Sequence, residues 1–184
     1  MKASAAPLLR AIVERMTTLS RMFSFPNPVN EKAARTVAFV VMLLAAITLA
    51  TSFYWLLLAL AYGFIARVFT GPTLSPLGRI ASAVIAPRLG PEKPVAGPPK
   101  RFAQGIGAVL TTAAAIAALA FGSDVVADAL LAMLILAAGL ESILGFCVGC
   151  RIFALLMRAG LVPETVCAEC ADIHSYRRAA GSGA

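Results

Sequence analysis

All four cysteines of this chain fall within twenty-four residues, as Cys147-x-x-Cys150 and Cys167-x-x-Cys170. Thiols at that spacing suit three kinds of chemistry. As redox dithiols, positions i and i+3 at a helix start bring the Cα atoms into the roughly 4.4–6.8 Å that a disulfide accepts. Two such pairs can then pass oxidising equivalents or a persulfide sulfur from one to the other. As metal ligands, C-x2-C-x16-C-x2-C lies inside the spacing of structural zinc sites. His174, four residues beyond Cys170, shares its face if that tail is helical and is a substitute ligand. In the third reading Cys147 and Cys150 are small apolar packing groups and the tail pair is incidental. The clustering of two matched pairs argues against that reading. With one histidine and no G-x-S-x-G motif, the chain does not read as a hydrolase. No glycine loop of the phosphate-cradling kind appears either.

The first pair sits in "GFCVGC" (145–150), between two apolar stretches. Gly145 and Gly149 loosen the backbone there, and "RIFALLMRAGL" opens at Arg151 and closes at Gly160 and Pro163. That segment is too short to cross a bilayer and reads as an interfacial or re-entrant helix. A helix restarting near Cys147 places its thiol at a helix N-terminus close to Arg151, and both influences favour thiolate. Glu141 precedes Cys147 by six residues. In a straight helix it lies roughly 9 Å and 240° away, on a different face. An ionisable group in an apolar span is a functional-site hypothesis in its own right. Its two readings are an ion pair with Arg35 or Arg67, and a proton acceptor for the thiols.

What positions these groups is a membrane architecture. Of 184 residues 60% are hydrophobic and 14% charged, and the mean hydropathy is +0.86. A soluble domain of this size has no interior able to hide so much apolar surface. The formal charge of +7 flanks apolar segments without interleaved aromatics, which points to lipid phosphates and excludes nucleic acid as a partner.

Four apolar spans can be read, from about Ala33 to Ala50, Phe53 to Phe69, Phe102 to Phe121 and Val125 to Gly145. Each approaches the ~17–25 residues that cross hydrocarbon. Asn30 is the expected N-cap of the first, with Glu31 in its first turn. The turn at Thr51 and Ser52 sets the second span antiparallel beside the first, with Tyr54 and Trp55 at the interface. Lysines and arginines crowd the leader (Lys2, Arg10, Arg15, Arg21, Lys32), the long 71–101 connection, and the segment after the fourth span. The two short turns carry none. The positive-inside rule therefore puts both termini and the long connection in the cytoplasm, where thiols are kept reduced.

That connection holds seven of the eleven prolines. Within it Ser75 and Pro76 look like an N-cap and first helical position, and Leu77, Ile80, Ala81, Val84 and Ile85 make one apolar face, stopped at Pro87. A short helix lying on the leaflet is expected. In the third span Gly107, Thr111 and Ala115 form a small-residue stripe suited to close helix packing. The N-terminus lacks the uninterrupted apolar core of a signal peptide and reads as a basic amphipathic leader.

Four blocks, "FPNPVNEKAAR" (25–35), "ARVFTGPTLSPLGR" (66–79), "GPPKRFAQGIG" (97–107) and "ESILGFCVGCRIFALLMRAGLVPETVCAEC" (141–170), together resemble the bacterial membrane family called domain of unknown function 4395. The resemblance covers residues 25–172 and implies a small bacterial integral membrane protein. Both cysteine pairs match the family's pattern, but it has no agreed activity, so no catalytic role carries over. The expected organisation is a 1–24 leader, a 25–172 membrane domain and a 173–184 polar tail. The expected fold is all-α, an integral membrane four-helix bundle with short interfacial helices on the cytoplasmic side of the plasma membrane. The expected function is thiol–disulfide or sulfur handling. Cys147 attacks, Cys150 resolves, Cys167 and Cys170 shuttle, and a thioredoxin-like or sulfurtransferase partner docks. The alternatives are a scaffold with a structural zinc site built from all four cysteines and a transporter of small sulfur compounds.

Overall fold

The computed structural model describes residues 25–163, 166 and 167. The leader, Cys170, His174 and the polar tail lie outside the described residues, as do the expectations attached to them.

Helix α1 (Glu31–Thr51) starts where its cap demands. Asn30 accepts the Lys32 N–H at 3.0 Å, and Glu31 occupies the positive end of the helix dipole. Ser52, in the left-handed region at φ 53°, ends it. The chain reverses over 52–55 and enters α2 (Leu56–Thr70). Phe53, Tyr54 and Trp55, expected inside the second span, are consumed by the reversal, where the Phe53 and Tyr54 carbonyls accept the Leu56 and Leu57 amides. What remains is an apolar helix of 15 residues, about 22 Å of rise.

The expected leaflet helix, α3, is present but longer than its sequence suggests. Ser75 caps it by accepting the Gly78 N–H at 3.2 Å, with Pro76 in the first turn. It runs through Pro76–Ile80, a π-helical turn at Ala81–Ile85, and a last turn at Ala86–Arg88. Pro87 therefore does not stop it. The wide π turn before the proline relieves the clash and the missing donor that would break a regular helix. Its inward face is made of Gly78, Ala81 and Ala86, while Ile80 and Val84 are exposed.

Helices α4 (Gly97–Leu119) and α5 (Asp124–Leu144) follow, and α6 (Val148–Arg158) closes the described chain. Two-residue strands β1 (Val29–Asn30) and β2 (Pro94–Val95) pair antiparallel and tie the start of α1 to the start of α4. The Lys93–Glu31 ion pair at 2.8 Å reinforces that junction.

The fold is all-α and of membrane type: α1, α4 and α5 are each long and apolar enough to cross a bilayer, and α2 completes the bundle. Helix α1 packs chiefly on α5, α2 chiefly on α4, and α4 on α5. Helices α1 and α2 touch each other less, despite the tight turn that joins them. Small side chains let the backbones approach: Ala45, Ala114 and Ala127 are buried, and a Cβ on Gly107 would overlap the Phe64 ring of α2. The Gly107/Thr111/Ala115 stripe is thus a packing seam, with the Thr111 hydroxyl donating to the Gly107 carbonyl at 2.8 Å. Val109, Leu136 and Leu144 stay about 70% exposed; apolar surface of that size suits lipid and not water.

Cations collect at one end. There Arg35 reaches the end of α5, Arg101 donates to the Val68 carbonyl, and Lys32 donates to the Leu89 carbonyl. At the other end the Tyr54 hydroxyl donates to Asp128 at 3.0 Å.

Candidate functional site

The site begins with the glycine that ends α5. Gly145 takes φ +68°, a region costly for residues with a Cβ, and its N–H bonds back to the Leu140 and Glu141 carbonyls. The Phe146 amide also returns to the Leu140 carbonyl, at 3.0 Å. The chain leaves the α5 axis there, and a new helix starts at Val148 with Cys147 as its N-cap. The Cys147 sulfur accepts the Cys150 N–H at 3.3 Å. Sequence reasoning places a helix restart near Cys147, and the restart is found there.

Gly149, between the two thiols, has a separate role. A Cβ built on it would lie 2.6 Å from both Cα and Cβ of Ala103 in α4. Only glycine lets α6 start this close to α4. Farther along, Phe102 and Phe153 pack with ring centroids 5.7 Å apart and hold the two helices together.

The helix break also overturns the expectation that Glu141 and the thiols face apart, since that rested on a straight helix. Glu141 and Cys147 line one small pocket of about 60 Å³, together with Gln104. The partner of Glu141 is neither Arg35 nor Arg67. It is Lys100 in the first turns of α4, with Nζ 2.6 Å from Oε1. Both side chains are at most 15% exposed, so the pair is desolvated and each charge needs the other. Arg35 instead caps α5, donating from Nε and Nη2 to the Ser142 carbonyl at 3.2 and 3.0 Å and from Nη2 to Ile143 at 2.9 Å. Those are orphan carbonyls at the negative end of the helix dipole, where a cation is favoured. Arg67 donates to Gln104 and to Ser75.

Lys100 is the member of the site that sequence reasoning misses, because it counts there only as one of the loop cations. One signal is available. Lys100 follows Gly97-Pro98-Pro99, a helix start, so it sits one turn inside an apolar span at the depth where Glu141 lacks a neighbour in its own helix.

The two thiols are unequal. Hydrogen bonding with the Cys150 side chain holds the Cys147 thiol below its ordinary range. Lys100 and the Cys150 N–H act in the same direction, while burial and the Glu141 charge oppose them. The same hydrogen bond, with burial, pushes the Cys150 thiol far up. Of the two, Cys147 is therefore the thiol whose surroundings favour the thiolate. Access is from outside the bundle, where a groove of about 300 Å³ is lined by Cys147, Cys150, Lys100, Arg151 and Glu31. Arg151 stacks over the Phe146 ring, its guanidinium carbon 5.1 Å from the centroid.

Cys147 and Cys150 carry free thiols. Cys167 is buried and disulfide-bonded. Among the described residues no three His, Cys, Asp or Glu side chains converge as a metal-ligand set. A zinc site using all four cysteines requires Cys167 as a thiolate, since a disulfide sulfur is not an effective zinc ligand.

A family model described as "Domain of unknown function (DUF4395)" matches residues 29–158. No curated protein and no solved structure matches the chain.

Proposed function

The chain belongs to the domain of unknown function 4395 family, and within that frame we propose that it is a membrane-held thiol–disulfide exchange protein. The observation that carries this reading is Cys147 as N-cap of α6, its sulfur accepting the Cys150 N–H. An N-terminal helix position stabilises a thiolate, and its i+3 neighbour is in reach to resolve a mixed disulfide.

In the proposed reaction the Cys147 thiolate attacks one sulfur of a partner disulfide. A mixed disulfide forms and the partner's other sulfur leaves as a thiolate, which takes up a proton. Cys150 then gives up its proton and attacks the Cys147 sulfur. The mixed disulfide breaks, the first partner sulfur leaves as thiolate, and Cys147–Cys150 becomes a disulfide. Two electrons pass from the dithiol to the partner. The groove beside Arg151, the lining cation not held in an ion pair among the described residues, suits an acidic lip on a thioredoxin-like or sulfurtransferase partner. Glu141 acts here as a positioning residue through Lys100, not as the proton acceptor, because its carboxylate is held in the ion pair. Cys167 and Cys170 are the proposed second pair; Cys167 is in a disulfide here, so only after its reduction can that pair take oxidising equivalents from a Cys147–Cys150 disulfide. The excess of cations at the thiol end favours a cytoplasmic placement of the groove.

The test is chemical. Detergent-purified full-length protein is assayed for bound metal, and its thiols are titrated before and after oxidant. Metal-free protein whose Cys147 and Cys150 cycle reversibly is the expected result. One zinc per chain, with thiols protected until chelation, contradicts it and establishes the scaffold reading.

A further inference from the structure

A second cavity lies at the same end of the bundle and uses no sulfur. It is a partly open pocket of about 270 Å³ between the start of α1, the end of α2 and α3. Its walls are largely apolar, with Phe25, Ala34, Val37 and Pro72 among them, and Arg67, Lys100, Gln104, Asn30, Ser82 and Glu92 supply its polar groups.

Arg67 is only 6% exposed, yet among the described residues no carboxylate pairs with it. Its Nε donates to Gln104 Oε1 at 2.8 Å and its Nη1 to Ser75 Oγ at 3.2 Å. The Phe64 ring lies 4.6 Å from the guanidinium carbon. All three neighbours are neutral, and Nη2 has no hydrogen-bond partner among the described residues. A buried charge in that condition is expensive, because nothing replaces the water it lost. The charge balance then selects the compensating group. Lys100 is already neutralised by Glu141, and Glu92 at the cavity is exposed to solvent. One positive charge is left over. A monoanion cancels it, whereas a dianion would leave a buried negative charge.

We propose that this cavity binds a small organic monocarboxylate, its carboxylate held by Arg67 and its apolar body against the Phe25 and Val37 walls. The size fits: roughly 150 Å³ suffices for a six-carbon ring, and this cavity is larger. The proposal stands apart from the thiol reading, and either can fail alone.

Benzoate is the probe, with benzyl alcohol as its uncharged counterpart and inorganic phosphate as the anion without an apolar body. Binding to the detergent-purified full chain is measured by equilibrium dialysis at neutral pH. Saturable benzoate binding is expected, with benzyl alcohol and phosphate at least about tenfold weaker, the scale of one charge-assisted hydrogen bond. Arg67→Met removes the cation, and Ala34→Leu fills the cavity while leaving Arg67 in place. Each is expected to weaken benzoate at least about tenfold. The second variant keeps the test informative if the first fails to fold. Absence of saturable binding overturns the proposal. So does benzyl alcohol or phosphate binding as well as benzoate, or Ala34→Leu binding like wild type.

Discussion

The Lys100 ammonium and the Glu141 carboxylate meet at 2.6 Å between α4 and α5, and each residue lines a pocket together with Cys147. The pair acts on the sulfur through its field. Glu141 raises the energy of the thiolate and Lys100 lowers it, so the two charges oppose each other at Cys147. Removing either one exposes the other.

Glu141→Gln therefore has two effects. It strands a buried ammonium, which costs roughly 3 kcal/mol and appears as a lower unfolding temperature in detergent. It also removes the charge that opposes the thiolate, so the pH midpoint of Cys147 alkylation moves down. Lys100→Met moves that midpoint up. In a double-mutant cycle, Lys100→Met with Glu141→Leu recovers most of the lost stability, because both charges leave together. A midpoint that ignores both substitutions contradicts the geometry.

Gly149→Ala tests the seating of α6. The new Cβ meets Ala103 in α4, and overpacking of this kind costs about 1–3 kcal/mol. Accelerated proteolysis near residues 150–160 and loss of the Cys147 pKa depression are expected together. Gly145→Ala acts on the backbone, since φ +68° disfavours a Cβ by about 1–2 kcal/mol.

Arg35→Met removes the donors that satisfy the Ser142 and Ile143 carbonyls. A loss of about 1–3 kcal/mol is expected, read from chemical denaturation in detergent micelles. Glu141 keeps its Lys100 partner in this variant, so the alkylation midpoint of Cys147 stays put. A shift in that midpoint would show that Arg35, not Lys100, governs the carboxylate.

Cys147→Ser and Cys150→Ser should differ in kind. The first abolishes mixed-disulfide formation with a small disulfide probe. The second leaves attack intact but removes resolution, so a stable mixed disulfide accumulates on Cys147. Mass spectrometry of the quenched reaction distinguishes them, and equal behaviour of the two variants contradicts the assigned roles.

Much of this architecture is legible in local chemistry. Asn30, Ser75 and Gly160 mark helix ends by rules that involve only a few neighbouring residues, and the stripe at Gly107 announces a close helix contact. The helix start at Cys147 is readable because the glycines around it interrupt an apolar run. What stays hidden depends on distant pairings. Lys100 and Glu141 are forty-one residues apart, and with three cations at comparable depth nothing local selects Lys100 for Glu141. The straight-helix placement of Glu141 fails because the left-handed Gly145 ends α5 and the extended Cys147 starts a new helix. Pro87 misleads for a related reason: a π turn upstream absorbs the proline, and no short-range signal announces it.

The central claim is that Cys147 is a thiolate-prone nucleophile at the start of α6. Its most direct measure is the pH dependence of Cys147 alkylation in the detergent-purified protein, followed by mass spectrometry of each cysteine. Because thiolate is the reactive form, a depressed pKa brings reactivity in at lower pH; the expected midpoint falls below the ~8.5 of an ordinary cysteine, with Cys150 unreactive over the same range. A Cys147 midpoint at or above that value, or Cys150 reacting first, would contradict it.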